Sequence, residues 1–124
     1  ENRIKEVIAA HDVGTAVSPK AIEGQIEGGV VMSLGYSLTE DFPLENGKPK
    51  RKLSTLGLFR ADATPDVKPI IVSKPNPTLA FGAKGIGEIC SIPTPPAVAL
   101  AYYNRDKKLR TKLPLENTPY QKKK

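Results

Sequence analysis

The chain has 124 residues, enough for one domain at the usual allowance of roughly 100–200 residues each. Hydrophobic residues make up 39%, and ten glycines add to them, which is close to the globular norm and excludes a disordered chain. The net charge is +6 but divides unevenly: residues 1–47 carry 3 basic and 8 acidic groups, residues 48–124 carry 16 and 5. That asymmetry raises a nucleic-acid reading, yet only three Phe and four Tyr are present and none is threaded through a basic run to stack on bases. A solvated basic face ending in the Lys122-Lys123-Lys124 tail is the better expectation, and nucleic acid is not an expected partner.

Residues 4–10, Ile-Lys-Glu-Val-Ile-Ala-Ala, read as a strand with His11-Asp12-Val13-Gly14 as its exit. Ser18-Pro19 then opens a helix expected over about 19–40, with Ser18 as N-cap and Pro19 at the first turn, where its missing N–H costs nothing. Ile22, Ile26 and Val30 recur on one face, joined by Leu34 and Leu38. Four glycines interrupt this helix, and each costs up to ~1 kcal/mol relative to Ala. Gly24 and Gly28 lie one turn apart, so close approach by another element or by a ligand is expected there.

Glu45-Asn46-Gly47-Lys48 reads as a hairpin tip, because Asn-Gly suits the positive φ angles of a type I′ turn. Residues 53–69 show no clear period, 69–72 form a short strand candidate, and Thr94-Pro95-Pro96 starts a second helix over about 94–104 with Thr94 as cap. Residues 109–115 are expected to form a terminal strand. The longest uncharged stretch, residues 89–104, has 16 residues and three prolines, short of the roughly 20 apolar residues that a membrane helix needs. The pattern is α+β: two main helices on a small mixed sheet with a hairpin, a single domain over 1–124.

Gly82-Ala83-Lys84-Gly85-Ile86-Gly87-Glu88 concentrates three glycines, a cation and a carboxylate in seven residues. Glycine lets the backbone bring N–H groups against a ligand, and Lys84 would add positive charge, so the loop reads as an anion cradle leading into a helix. Its glycine spacing matches neither a P-loop nor a dinucleotide fingerprint. Glu88 leads into an uncharged run whose desolvation would raise its pKa and suit it to general-base work; an ordinary first-turn glutamate is the plainer alternative. His11 is the only histidine and is expected to serve as a structural hydrogen-bonding group. Cys90, the only cysteine, is expected as a small buried hydrophobe. It excludes a disulfide framework and, with no signal-peptide pattern, favours a reducing cytoplasmic setting. Glu23 and Glu27, one turn apart, are expected to be an ordinary exposed pair and not a cation site.

His11-Asp12-Val13-Gly14 with Ser18-Pro19, then Glu23-Gly24-Gln25-Ile26-Glu27-Gly28-Gly29, then Leu34-Gly35-Tyr36, resembles the molybdenum hydroxylases of the xanthine dehydrogenase and aldehyde oxidase family. Gly82 to Glu88 is similar to the loop that carries that family's active-site glutamate. Residues 113–120 are similar to the ending of bacterial xanthine dehydrogenase subunits, selenium-dependent ones included. The resemblance implies the C-terminal piece of a molybdopterin-binding domain in a larger catalytic subunit, a reading that an opening Glu1 in place of Met also fits.

The resemblance further implies an enzyme that inserts water-derived oxygen into a C–H bond of a heterocycle or aldehyde, with a purine such as xanthine or hypoxanthine as the expected substrate. It implies Glu88 as the general base; Gln25, Lys84, Gly85 and Gly87 as cofactor-binding residues; and no direct protein ligand to the metal. One cysteine cannot hold iron–sulfur clusters, so those centres and FAD are expected on other domains or subunits, which with the rest of the molybdenum subunit become the expected partners. The chain alone is expected to be inactive and to expose surface capable of forming a homodimer. Ser18 stands where the family usually has Asn. A small basic phosphate- or nucleic-acid-binding module is the alternative.

Overall fold

The computed structural model describes residues 2–78 and 80–121. Strand β1 (Glu6–Asp12) leads into helix α1 (Pro19–Leu38), then a hairpin of β2 (Leu44–Glu45) and β3 (Lys48–Pro49), strand β4 (Asp66–Val72) and helix α2 (Thr94–Asp106), with single 3-10 turns between them. The α+β reading holds. The parallel and antiparallel pairings fall in separate two-stranded sheets: β1 runs parallel to β4, with Ala9 opposite Pro69, and β2 pairs only with β3. β1 is shifted two residues from the expected 4–10, starting at Glu6 and running through His11 and Asp12, and β4 reaches back from the expected 69–72 to Asp66. Pro69 sits inside β4, where a strand paired on one side has N–H groups to spare.

Helix α1 buries Ile22, Ile26, Val30, Leu34 and Leu38, the stripe its periodicity predicts. It packs against β4, β1 and α2. Ser33 and Ser37 lie on the same buried face, where their hydroxyls bond to the helix carbonyls of Gly29 and Ser33. Leu34 is fully enclosed, and Leu34→Ala is expected to cost about 2–5 kcal/mol, readable as a lower urea midpoint at unchanged m-value.

Ser18 occupies the N-cap position without a side-chain capping bond. Pro93, not Thr94, caps α2; Thr94 is its first residue and is buried. On α2 the buried face is Thr94, Val98 and Tyr102, while Leu100 is 57% exposed. The hairpin forms as predicted, with Asn46 and Gly47 both at positive φ. No strand forms over residues 109–115. Arg110 instead stacks on Tyr102 and bonds Asp106, whose carboxyl it holds down to about 2, and Leu115 docks through its N–H on the Ser37 carbonyl. The Lys122-Lys123-Lys124 tail lies outside the described residues. No helix among the described residues is long and apolar enough to cross a membrane.

Candidate active site

The residues after β1 hold the glycine-rich loop from one side. The Val13 carbonyl accepts from the Lys84 N–H at 2.9 Å, and the Gly82 carbonyl accepts from the N–H groups of Thr15 and Asn76. The Thr15 hydroxyl donates to the Phe81 carbonyl at 2.7 Å. Gly14, at φ +64°, pairs with Ala83 so closely that a Cβ there would lie 2.1 Å from the Gly82 oxygen. Glycine is required here for both conformation and room.

The Lys84 charge is engaged by a carboxylate at the edge of the loop. The ammonium lies 2.5 Å from Asp12 Oδ2, both side chains being partly buried. Asp12 Oδ1 also accepts the Gly14 N–H at 3.0 Å. The Lys84 hydrogen bond, foremost, and the Gly14 N–H hold the Asp12 carboxyl below its usual value. A carboxylate with a depressed folded-state pKa adds stability above its unfolded value and loses it as pH falls through the folded value, so this pair persists throughout the neutral range.

The far side of the loop rests on α1. Gln25 donates from Nε2 to the Gly87 carbonyl at 3.1 Å. Cys90 is fully buried against Gly29, where a Cβ would meet the Cys90 Cβ at 2.6 Å. Ser33 and Tyr36 both donate to the Ser91 carbonyl. Burial pushes the Cys90 thiol up, as expected of a small core residue. We predict no reaction of Cys90 with an aromatic disulfide reagent in the folded chain and stoichiometric reaction in denaturant.

Glu88 stands between these anchorages, at the start of a single 3-10 turn (Glu88–Cys90) rather than the expected helix. It is exposed, so the desolvation expected of the following apolar run is not supplied by these residues, and its carboxylate makes no hydrogen bond or ion pair among the described residues. Of the loop glycines only Gly82 takes a positive φ; Gly85 and Gly87 are exposed, with open space where a Cβ would stand.

Between the start of α1 and this loop lies a cleft of about 420 Å³, lined among others by Thr15, Ser18, Ala21, Gln25, Lys84 and Gly87. The first helical bond of α1 runs from the Ile22 N–H to the Ser18 carbonyl, which leaves the Lys20 and Ala21 N–H groups ahead of it. The first turn carries no acidic residue, and the Ser18 hydroxyl caps nothing. These donors suit a polar or anionic group.

Gln25, Lys84 and Gly87 thus converge on one cleft, with Glu88 next to its lining, while Gly85 is exposed between Lys84 and Gly87. Gly24 and Gly28 face open space; the helix glycines that admit close neighbours are Gly29, beside Cys90, and Gly35, beside the Glu40 side chain. His11 is buried, but the hydrogen-bonding role expected of it is not seen at Nε2, which has no partner among the described residues. No group of three or more His, Cys, Asp or Glu is placed to hold a metal ion among those residues. Sequence reasoning missed Asp12, Gly14 and Thr15 as the loop's support. Their signal was present in His11-Asp12-Val13-Gly14, but the loop residues they hold lie about seventy positions away.

Residues 1–65 match the model of the molybdopterin cofactor-binding domain. The chain is 34% identical over 92 residues to a probable xanthine dehydrogenase subunit of Bacillus subtilis, covering 73% of this chain and 12% of that protein. It is 34% identical over 101 residues to the nicotine 6-hydroxylase large subunit of Paenarthrobacter nicotinovorans, covering 77% of this chain and again 12% of the relative. Among solved structures, quinoline 2-oxidoreductase from Pseudomonas putida 86 superimposes with a TM-score of 0.79 at 27% identity, over 96% of this chain and 15% of that one. The chain therefore spans about an eighth of the length of the curated relatives it matches. With its sequence and its fold both agreeing, the chain belongs to the molybdopterin cofactor-binding domain family of the molybdenum hydroxylases.

Proposed function

We propose that residues 1–124 act as one unit, the C-terminal piece of a molybdopterin-binding domain, in a parent enzyme that hydroxylates a nitrogen heterocycle, a purine such as xanthine or hypoxanthine. The observation that carries this reading is the Gln25–Gly87 hydrogen bond, which sets Glu88 immediately beside the lining of the cleft at the start of α1. Xanthine, nicotine and quinoline in the names of these three relatives are nitrogen heterocycles, which supports that substrate class over the aldehyde and carbon monoxide that other relatives' names carry.

The groups at this cleft suit a polar, anionic cofactor such as the molybdenum cofactor. Gln25 retains an amide oxygen and a second N–H beyond its bond to Gly87. Gly85 and Gly87 expose bare backbone with room for close approach, and the Ser18 hydroxyl with the first-turn N–H groups of α1 offers donors. Lys84 contributes through its position on the loop, since its charge is engaged by Asp12. When bound, the molybdenum cofactor supplies the redox chemistry that places a water-derived oxygen on carbon. Glu88, exposed and with no hydrogen bond or ion pair among the described residues, would take up a proton on a carboxylate oxygen as general base.

Two further features support a piece of a larger assembly. Phe81, Val17 and Ile92 are 95%, 76% and 66% exposed, and we read this apolar surface as covered by the rest of the molybdenum subunit. With one cysteine in the chain, iron–sulfur clusters and FAD belong to other domains or subunits. The isolated chain hydroxylates nothing on this reading.

The test uses the full-length parent enzyme. Molybdenum and pterin content are measured with turnover of xanthine, hypoxanthine, nicotine and quinoline, for wild type and Glu88→Gln. Bound molybdenum with purine turnover lost in Glu88→Gln is the expected result. Turnover of quinoline alone moves the substrate away from purines, and a metal-free protein from molybdenum-replete cells overturns the reading.

A further inference from the structure

We infer that Asp12 and Lys84 are a positioning pair that sets where the loop presents Glu88; this rests on the reading of Glu88 as the base. The contact joins residues 72 apart in sequence, the end of β1 and the middle of the glycine-rich loop. Asp12 is itself fixed, since its Oδ1 takes the Gly14 N–H. Asp12 is thus oriented before Lys84 reaches it. Lys84 is fixed twice, by its ammonium on Asp12 and by its N–H on the Val13 carbonyl.

Beyond Lys84 the chain passes through Gly85, Ile86 and Gly87 before Glu88. Two of these three are glycines with open space around them, the most pliant backbone available. Downstream, Gly87 is held by one side-chain hydrogen bond, from Gln25, and Cys90 closes on the Ile86 carbonyl. The place of Glu88 is therefore set by an anchor at each end of a flexible arm, and the upstream anchor is the Asp12–Lys84 pair. A misplacement of about 1 Å of a catalytic group is enough to cost about a hundredfold in rate. The same pairing gives the cation in this loop a structural reason to be there.

The experiment uses the full-length enzyme with Asp12→Asn, Lys84→Met, the double variant and Lys84→Arg. Asparagine keeps an acceptor for the Gly14 N–H, and methionine keeps the aliphatic stem, so each removes the ion pair and little else. Hydrogen exchange of the amides of residues 84–88 is followed by mass spectrometry, beside kcat, KM and molybdenum content. The expected result is tenfold or faster exchange in both single variants and kcat down tenfold or more, with KM within twofold and molybdenum retained. The double variant is no worse than either single, and Lys84→Arg restores protection. Exchange and kcat within twofold of wild type in both singles, or losses that multiply in the double variant, overturn the inference. If Asp12→Asn fails to fold, Lys84→Met alone decides, since it leaves β1 untouched. If Glu88→Gln in the same enzyme keeps its turnover, the base assignment falls and the exchange data alone judge the pair.

Discussion

Glu88→Gln in the full-length enzyme is expected to lower the hydroxylation rate by roughly 10²–10⁴-fold, about 3–5 kcal/mol of transition-state stabilisation, while leaving the fold intact. Glutamine has the shape of glutamate but no carboxylate to take a proton, so the loss reports proton transfer and not packing. The side chain is exposed and makes no hydrogen bond or ion pair among the described residues, so the substitution removes no structural contact within this chain. A stability change within about 0.5 kcal/mol is expected. The anchors on either side, at Lys84 and at Gly87, involve no Glu88 side-chain atom and persist in the variant. Steady-state turnover, thermal denaturation and metal analysis on the same preparation check this. A variant that keeps more than a tenth of the wild-type rate with full molybdenum removes Glu88 from the proton transfer.

Gly14→Ala is expected to be the most damaging small substitution, at roughly 3 kcal/mol or more. Two costs act together. A left-handed φ of +64° strains any residue with a side chain, and the new Cβ would lie 2.1 Å from a backbone oxygen that cannot swing aside. Relief requires separating Gly14 from Ala83, which pulls on the Lys84–Val13 and Thr15–Gly82 hydrogen bonds next to it. The effect thus reaches the loop of Glu88 as well as stability. Gly47→Ala is the matched control: its φ is also positive, at +75°, but nothing lies within 4 Å of the new atom. Urea unfolding of the three proteins should rank wild type above Gly47→Ala and both well above Gly14→Ala. Equal losses in the two variants would show that backbone conformation, not the close approach to Gly82, governs position 14.

The helices were legible in the sequence because their burial is periodic and local. Ile22, Ile26, Val30, Leu34 and Leu38 repeat at helical spacing, and all five are buried. The hairpin was legible for a local reason as well, since Asn46-Gly47 suits the turn it forms. The expected strand over 109–115 failed because its apolar residues serve different neighbours: Leu115 is buried against α1, while Leu109 stays 79% exposed. Glycines were read correctly as marks of close approach, but at the wrong positions. Gly24 and Gly28 stand free while Gly14 and Gly29 are tightly met, and which glycine is met depends on what the tertiary fold brings to it.

By itself the sequence determined the two helices, the hairpin and the family through its ordered motifs, and it singled out the glycine-rich loop with Glu88 and the residue Gln25. Short-range periodicity and turn chemistry reside in neighbouring residues, so they can be read in one dimension. Only the tertiary structure decided that Lys84 turns to Asp12, that Gln25 holds Gly87, and that Gly14 leaves room for Gly82. Each of those contacts joins residues about sixty to seventy positions apart, and no local spacing encodes the partner. The parallel pairing of β1 with β4 brings them together, because Val72 ends its strand beside Asp12 and the chain beyond it returns to Gly14 through the loop.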